Sequence, residues 1–221
     1  MPSADRPASS AAPHGRAAPA PRLWLVRHAR PLVEAGLCYG RLDVAADPGH
    51  TRETAARLAD ALPPGAALRT SPRRRCRDLA DALAALRPDL RPAAVDARLA
   101  EMDFGDWEGR RWDAIGPAAL DAWTADFARH RPGGGESVAD FMARVAEAFD
   151  APAPGADRVW IAHAGVARAA TLLARGLRRV ERAADWPRTG PDFGAWTTLP
   201  PSGTGACGAP GAATAGSPDR P

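Results

Sequence analysis

Apolar residues follow two rhythms along this 221-residue chain. Short continuous runs at 23–26 (LWLV) and Arg158–Ala162 (RVWIA) suit strands covered on both faces. Residues 67–70, 93–95 and 193–199 read as further short strands. Between them, apolar residues recur at helical spacing over 51–62, which ends before Pro63-Pro64-Gly65. They do so again over 72–86, where Ser71 is expected to be the N-cap and Pro72 the first helical residue. Residues 112–129, 137–149 and 166–175 complete the helical segments. Alternation of this kind predicts an α/β fold, a three-layer α/β/α sandwich with a mostly parallel central sheet. Outside 22–199 the rhythm is lost. Residues 1–21 are mostly Ala, Pro, Ser and Arg, read as a disordered leader or as a start codon assigned too early. Residues 200–221 read as a flexible tail.

The polar residues that follow the strands change the picture. After LWLV come Arg27 and His28, after ALRT come Ser71-Pro72-Arg73-Arg74-Arg75, and after RVWIA come His163-Ala164-Gly165. In an open parallel sheet, ligands bind beyond the carboxyl ends of the strands. Two histidines and several arginines would meet there beside helix N-termini, which makes an anion pocket. Guanidinium groups favour phosphate through bidentate bonds. The acidic, Gly-interrupted stretch LAEMDFGDWEG (99–109) is a loop that can supply a proton donor from Glu101, Asp103, Asp106 or Glu108. An imidazole can itself accept a phosphoryl group and so divide one transfer into two steps.

Composition narrows the classes. The hydrophobic fraction of 45% fits a globular protein and the formal charge is only +3. All 29 basic residues are arginine, and Lys, Asn and Gln are absent, a bias that a GC-rich genome explains. No basic stripe interleaved with aromatics is present, so no nucleic-acid partner is expected. Cys38, Cys76 and Cys207 have no metal-ligand spacing, and their odd number argues against a disulfide framework. With no apolar run of about 20 residues and no apolar signal core, a cytoplasmic location without membrane contact is expected. No oligomeric state is assigned.

The segments LVRHARP, TSPRRRC, LAEMDFGDWEG and IAHAGVAR, in this order, together resemble the histidine phosphatase (phosphoglycerate mutase-like) superfamily. PGGGESVADFMARV is similar to the family's P-G-G-E-S helix start. The resemblance implies a phosphomonoesterase acting through a phosphohistidine, with no metal and no cofactor. His28 would be the nucleophile, Arg27, Arg75 and His163 would bind the phosphoryl oxygens, and Glu101 would be the acid and then the base. Ala29 and Ala164 stand where glycine is usual, and Asp43-Val44-Ala45-Ala46 departs from the usual D-x-P-L.

Within the family, GLCYGRLDV resembles the segment after the nucleophile in α-ribazole phosphatases of cobalamin biosynthesis, matched by Cys38, Tyr39, Gly40, Arg41 and Asp43. Tyr39 and Arg41, together with Arg30 and Ala164 beside the two histidines, are expected to bind substrate, a small phosphorylated metabolite, with a solvent-facing position the alternative for Arg30. A broad-specificity sugar-phosphate phosphatase is the alternative. A phosphoglycerate mutase fits less well, because the interval from Glu101 to His163 leaves little room for an enclosing insertion. A noncatalytic phosphate-binding module would not need His28.

Overall fold

The computed structural model describes residues 20–152 and 155–200. The leader and tail expectations, and Cys207, lie almost wholly outside the described residues.

Five strands form one sheet: β1 (Leu23–Arg27), β2 (Ala67–Thr70), β3 (Ala94–Val95), β4 (Arg158–Ala162) and β5 (Trp196–Leu199), in the order β3-β2-β4-β1-β5. β1 and β4 are parallel, as are β2 and β4 and β2 and β3, while β5 runs antiparallel along β1. The alternation of the strand residues gives each face its own core. Leu23, Leu25, Trp160 and Ala162 pack against α5 (Val138–Asp150) and α6 (Ala164–Ala174). Trp24, Val26, Val159 and Ile161 pack against α1 (Pro48–Ala61) and α2 (Arg74–Leu86). The architecture is the expected three-layer sandwich.

Local boundaries differ from expectation for identifiable reasons. The first helix starts at Pro48 rather than Thr51, because Asp47 caps it by accepting a hydrogen bond from His50 N at 2.9 Å. Ser71 is not the cap of α2: the helix begins at Arg74, and Arg73 occupies the cap position in extended conformation. The single helix expected over 112–129 is two, α3 (Trp112–Ile115) and α4 (Pro117–Ala125). The break is at Gly116, whose φ of +90° is left-handed, followed by Pro117 at the first position of α4. Ser137 does cap α5, accepting from Asp140 N at 3.1 Å. The last helix starts at Ala164 rather than Val166, immediately after His163. Among the described residues no helix is long and apolar enough to cross a membrane.

Candidate active site

The sheet register assembles the site. Because Arg27 pairs with Ala162 across the parallel β1–β4 ladder, the next residues, His28 and His163, leave the sheet side by side. His28 N continues the ladder with a 3.0 Å bond to Ala162 O, and the two imidazole centroids lie 5.2 Å apart. Ser71 N bonds Ile161 O at 3.0 Å, which brings the end of β2 to the same edge. The first turn of α2 then places Arg75 beneath it, fully buried.

The protonation state of His28 follows from its neighbour. Its Nδ1 lies 2.7 Å from Ala29 O. A carbonyl only accepts, so Nδ1 carries the proton and the lone pair is on Nε2. Burial, the nearby Arg75 and then Arg27 hold the His28 pKa down to about 3, against the opposing pull of the Ala29 bond. His163 is likewise held well below its ordinary value, first by burial and then by Arg75 and His28. Both rings are therefore neutral near pH 7, and His28 keeps a free Nε2 lone pair there.

A cavity of about 250 Å³ opens at this point, lined by Arg27, His28, Tyr39, Arg75, Glu101, His163 and Ala164 among others. Arg75 is clamped through bonds to Leu42 O (2.7 Å) and Gly40 O (2.8 Å). Arg27 bonds Pro191 O at 3.1 Å and stacks on Phe193, 3.7 Å from the ring centroid. Arg27 Nε, Arg75 Nε and His163 Nδ1 are buried and have no hydrogen-bond partner within the protein. Arg168, which also lines the cavity, has its Nε in the same condition, and unpaired buried polar atoms are uncommon and costly, so four at one cavity would suit an anion.

Glu101 reaches the cavity from the acidic loop. Its Oε2 accepts from Gly165 N at 3.1 Å, in the first turn of α6. A Cβ at position 165 would overlap Glu101 Oε1, so this approach requires glycine. The loop backbone is fixed by Arg144 on α5, which donates to Ala100 O (2.8 Å), Glu101 O (3.0 Å) and the Glu136 carboxylate (2.6 Å). Of the neighbouring carboxylates, Asp106 is exposed and two are otherwise engaged. Glu108 accepts from Gly40 N, Arg41 N, Leu42 N and Phe104 N, and Asp103 accepts from Gly105 N. Among the described residues no cluster of His, Cys, Asp and Glu is arranged to hold a metal ion.

Seven of the nine expected site residues thus line one cavity. Arg30 and Arg41 do not. Arg30 is exposed, and its amide donates to His50 Nδ1. Arg41 turns outward into an ion pair with Asp103 at 3.2 Å, with 70% of its side chain exposed. Four further residues went unassigned in the sequence: Leu37, Trp112 and Arg168 line the cavity, and Ser71 bonds His163 Nε2 at 2.8 Å. Arg168 had a readable signal, standing one helical turn beyond Ala164 on the same face of α6.

Residues 23–199 match the histidine phosphatase superfamily, branch 1. The chain belongs to that superfamily. It is 35% identical over 171 residues to a glucosyl-3-phosphoglycerate phosphatase of Mycolicibacterium vanbaalenii, covering 71% of this chain and 75% of that protein. The solved structure of a mycobacterial glucosyl-3-phosphoglycerate phosphatase superposes with a TM-score of 0.65 at 31% identity, over 81% of this chain and 89% of the other. A structure described as mycobacterial hydrolase 1 gives 0.67 at 30% identity, over 86% and 92%. This histidine phosphatase is a phosphoric monoester hydrolase.

Proposed function

We propose that the protein hydrolyses the phosphomonoester of a small sugar or sugar-acid phosphate through a phosphohistidine at His28. The observation that carries this reading is the group of unpaired donors, Arg27 Nε, Arg75 Nε and His163 Nδ1, around a histidine whose Nε2 lone pair is free. Nε2 attacks phosphorus as the P–O bond to the alcohol breaks, and the donors hold the non-bridging oxygens. Glu101 gives its proton to the departing oxygen. As a carboxylate it then takes a proton from water, whose oxygen attacks phosphorus, releasing phosphate and restoring neutral His28.

The substrate class rests on the relatives that bear the name glucosyl-3-phosphoglycerate phosphatase. The α-ribazole phosphate reading of residues 38–43 has Tyr39 in its favour, which lines the cavity. The rest of that segment serves the scaffold. Cys38 is buried beneath Trp107 and Ile115, Gly40 O clamps Arg75, Arg41 pairs with Asp103, and Asp43 accepts from Arg74 N at 2.6 Å at the start of α2. These contacts would suit any substrate, so the sugar-phosphate reading is preferred. Comparison of kcat/KM on sugar phosphates and on α-ribazole phosphate decides between the two.

Rapid quench with labelled substrate tests the chemistry. The wild type should yield an acid-labile, base-stable phosphoenzyme, and His28→Ala should yield none and turn over no substrate. Full activity in His28→Ala would refute the assignment.

A further inference from the structure

We infer that Arg168 forms a second anion subsite, which selects phosphomonoesters whose alcohol portion carries a carboxylate. The inference rests on the phosphoryl group occupying the cavity as proposed above. Arg168 lines that cavity and also a neighbouring recess of about 300 Å³, so the residue is shared by the two spaces. It is close enough to Arg27 for the two charges to repel. Among the described residues it has no ion pair: its one hydrogen bond is from Nη2 to Arg188 O at 3.3 Å, and its Nε is buried without a partner.

Charge bookkeeping gives Arg168 its role. The ionisable residues lining the cavity are Arg27, Arg75, Arg168, Glu101, Tyr39 and two histidines held neutral by their surroundings. Tyr39 is neutral, because burial pushes its phenol up. General acid catalysis requires Glu101 to carry its proton when the ester is bound. A phosphomonoester has about two negative charges near pH 7, and Arg27 and Arg75 balance them. Arg168 is then a surplus cation on the cavity wall. A guanidinium with an unpaired donor favours a carboxylate, which can bind it through two parallel bonds. A neutral hydroxyl offers no such gain. A polyol phosphate would therefore bind less tightly than an acid phosphate of the same length.

The test uses two non-hydrolysable phosphonates, 3-phosphonopropionate and 3-hydroxypropylphosphonate, which differ in having a carboxylate or a hydroxymethyl group at the far end. Calorimetry on the full chain should show the carboxylate ligand binding about tenfold tighter, the worth of one charge-assisted contact. Arg168→Met should abolish the preference, and Arg168→Lys should restore part of it. The ratio of affinities is the readout, so a loss common to both ligands through altered packing does not disturb it. Equal binding by the wild type, no binding of either ligand, or a preference unchanged in Arg168→Met would overturn the inference. Hydrolysis of p-nitrophenyl phosphate by the same preparation separates this result from the function. Turnover without carboxylate preference refutes the subsite alone, and preference without turnover refutes the proposed chemistry alone.

Discussion

Ser71 Oγ lies 2.8 Å from His163 Nε2, and both residues are buried. The Ser71 hydroxyl accepts from Arg73 N at 3.3 Å and has one proton of its own, which it can give to the imidazole. When Nε2 accepts, the proton of neutral His163 is on Nδ1, the atom without a partner in the protein. In that arrangement Ser71 would set the tautomer that gives His163 a donor for a phosphoryl oxygen. Ser71→Ala should lower kcat/KM about tenfold, the scale of one neutral hydrogen bond, and Ser71→Thr should recover much of it. Nitrogen chemical shifts of His163 would report the tautomer directly. An unchanged tautomer together with unchanged kcat/KM in Ser71→Ala would remove Ser71 from the mechanism.

Gly165→Ala should separate activity from stability. The new Cβ meets only the end of the Glu101 side chain, which can swing aside, so the fold loses little. The carboxyl is then displaced from the leaving group. Melting temperature should move by no more than a few degrees, on the scale of ~1 kcal/mol, while turnover of an alkyl phosphate falls by at least about tenfold. Unchanged alkyl phosphate turnover would show that the placement of Glu101 is not critical.

Glu101→Gln tests the acid itself. An alkoxide needs a proton as it leaves, and p-nitrophenolate does not. The burst of phosphoenzyme formation should therefore fall far more with an alkyl phosphate than with p-nitrophenyl phosphate, by a factor within the roughly 10²–10⁴ that general acids contribute. Steady-state turnover can hide the difference, because the same carboxylate activates water afterwards. Equal losses in the burst would transfer the role to another group.

Stability should depend on pH through the buried imidazoles. In the unfolded chain they titrate near 6.5, whereas folding holds His28 at about 3 and His163 well below its ordinary value. Below about 6.5 the unfolded state binds more protons, so stability falls as the pH drops, by about 1.4 kcal/mol per pH unit for each fully engaged histidine. The contribution is complete above 6.5 and declines toward the folded pKa values. Melting temperature should drop between pH 7 and pH 5, and less steeply in His28→Asn. A flat profile over that range would contradict the burial of neutral rings.

The strands and the polar residues that end them were legible in the sequence because both signals are local. A buried strand needs apolar side chains in succession, and its last residue hands the next one to the ligand edge. What stayed hidden depends on contacts between distant segments. Ser71 followed by Pro72 satisfies the local rules for a helix start, yet burial against His163 outweighs them. Four carboxylates in one loop looked alike until four backbone amides were seen to converge on Glu108. The direction of β5 was equally unreadable, since a four-residue run does not encode which way its neighbour travels. The Asp47-Pro48 start of α1 and the break at Gly116-Pro117 were written locally, and at the second the apolar spacing that continued across it outweighed the signal.

The sheet order also bears on how the protein is made. β1 pairs only with β4 and β5, both of which lie more than a hundred residues further along the chain. During synthesis the strand that precedes His28 has no partner until residues 158–162 have emerged from the ribosome. The helices α1 and α2 can form early, but the sheet surface they cover is incomplete until β4 enters between β1 and β2. Closing so long a loop slows folding and leaves an apolar strand exposed to aggregation meanwhile. A nascent chain released before β4 would therefore hold the nucleophile and Arg75 with nothing to bring them together, and it would be a client for chaperones rather than a smaller phosphatase.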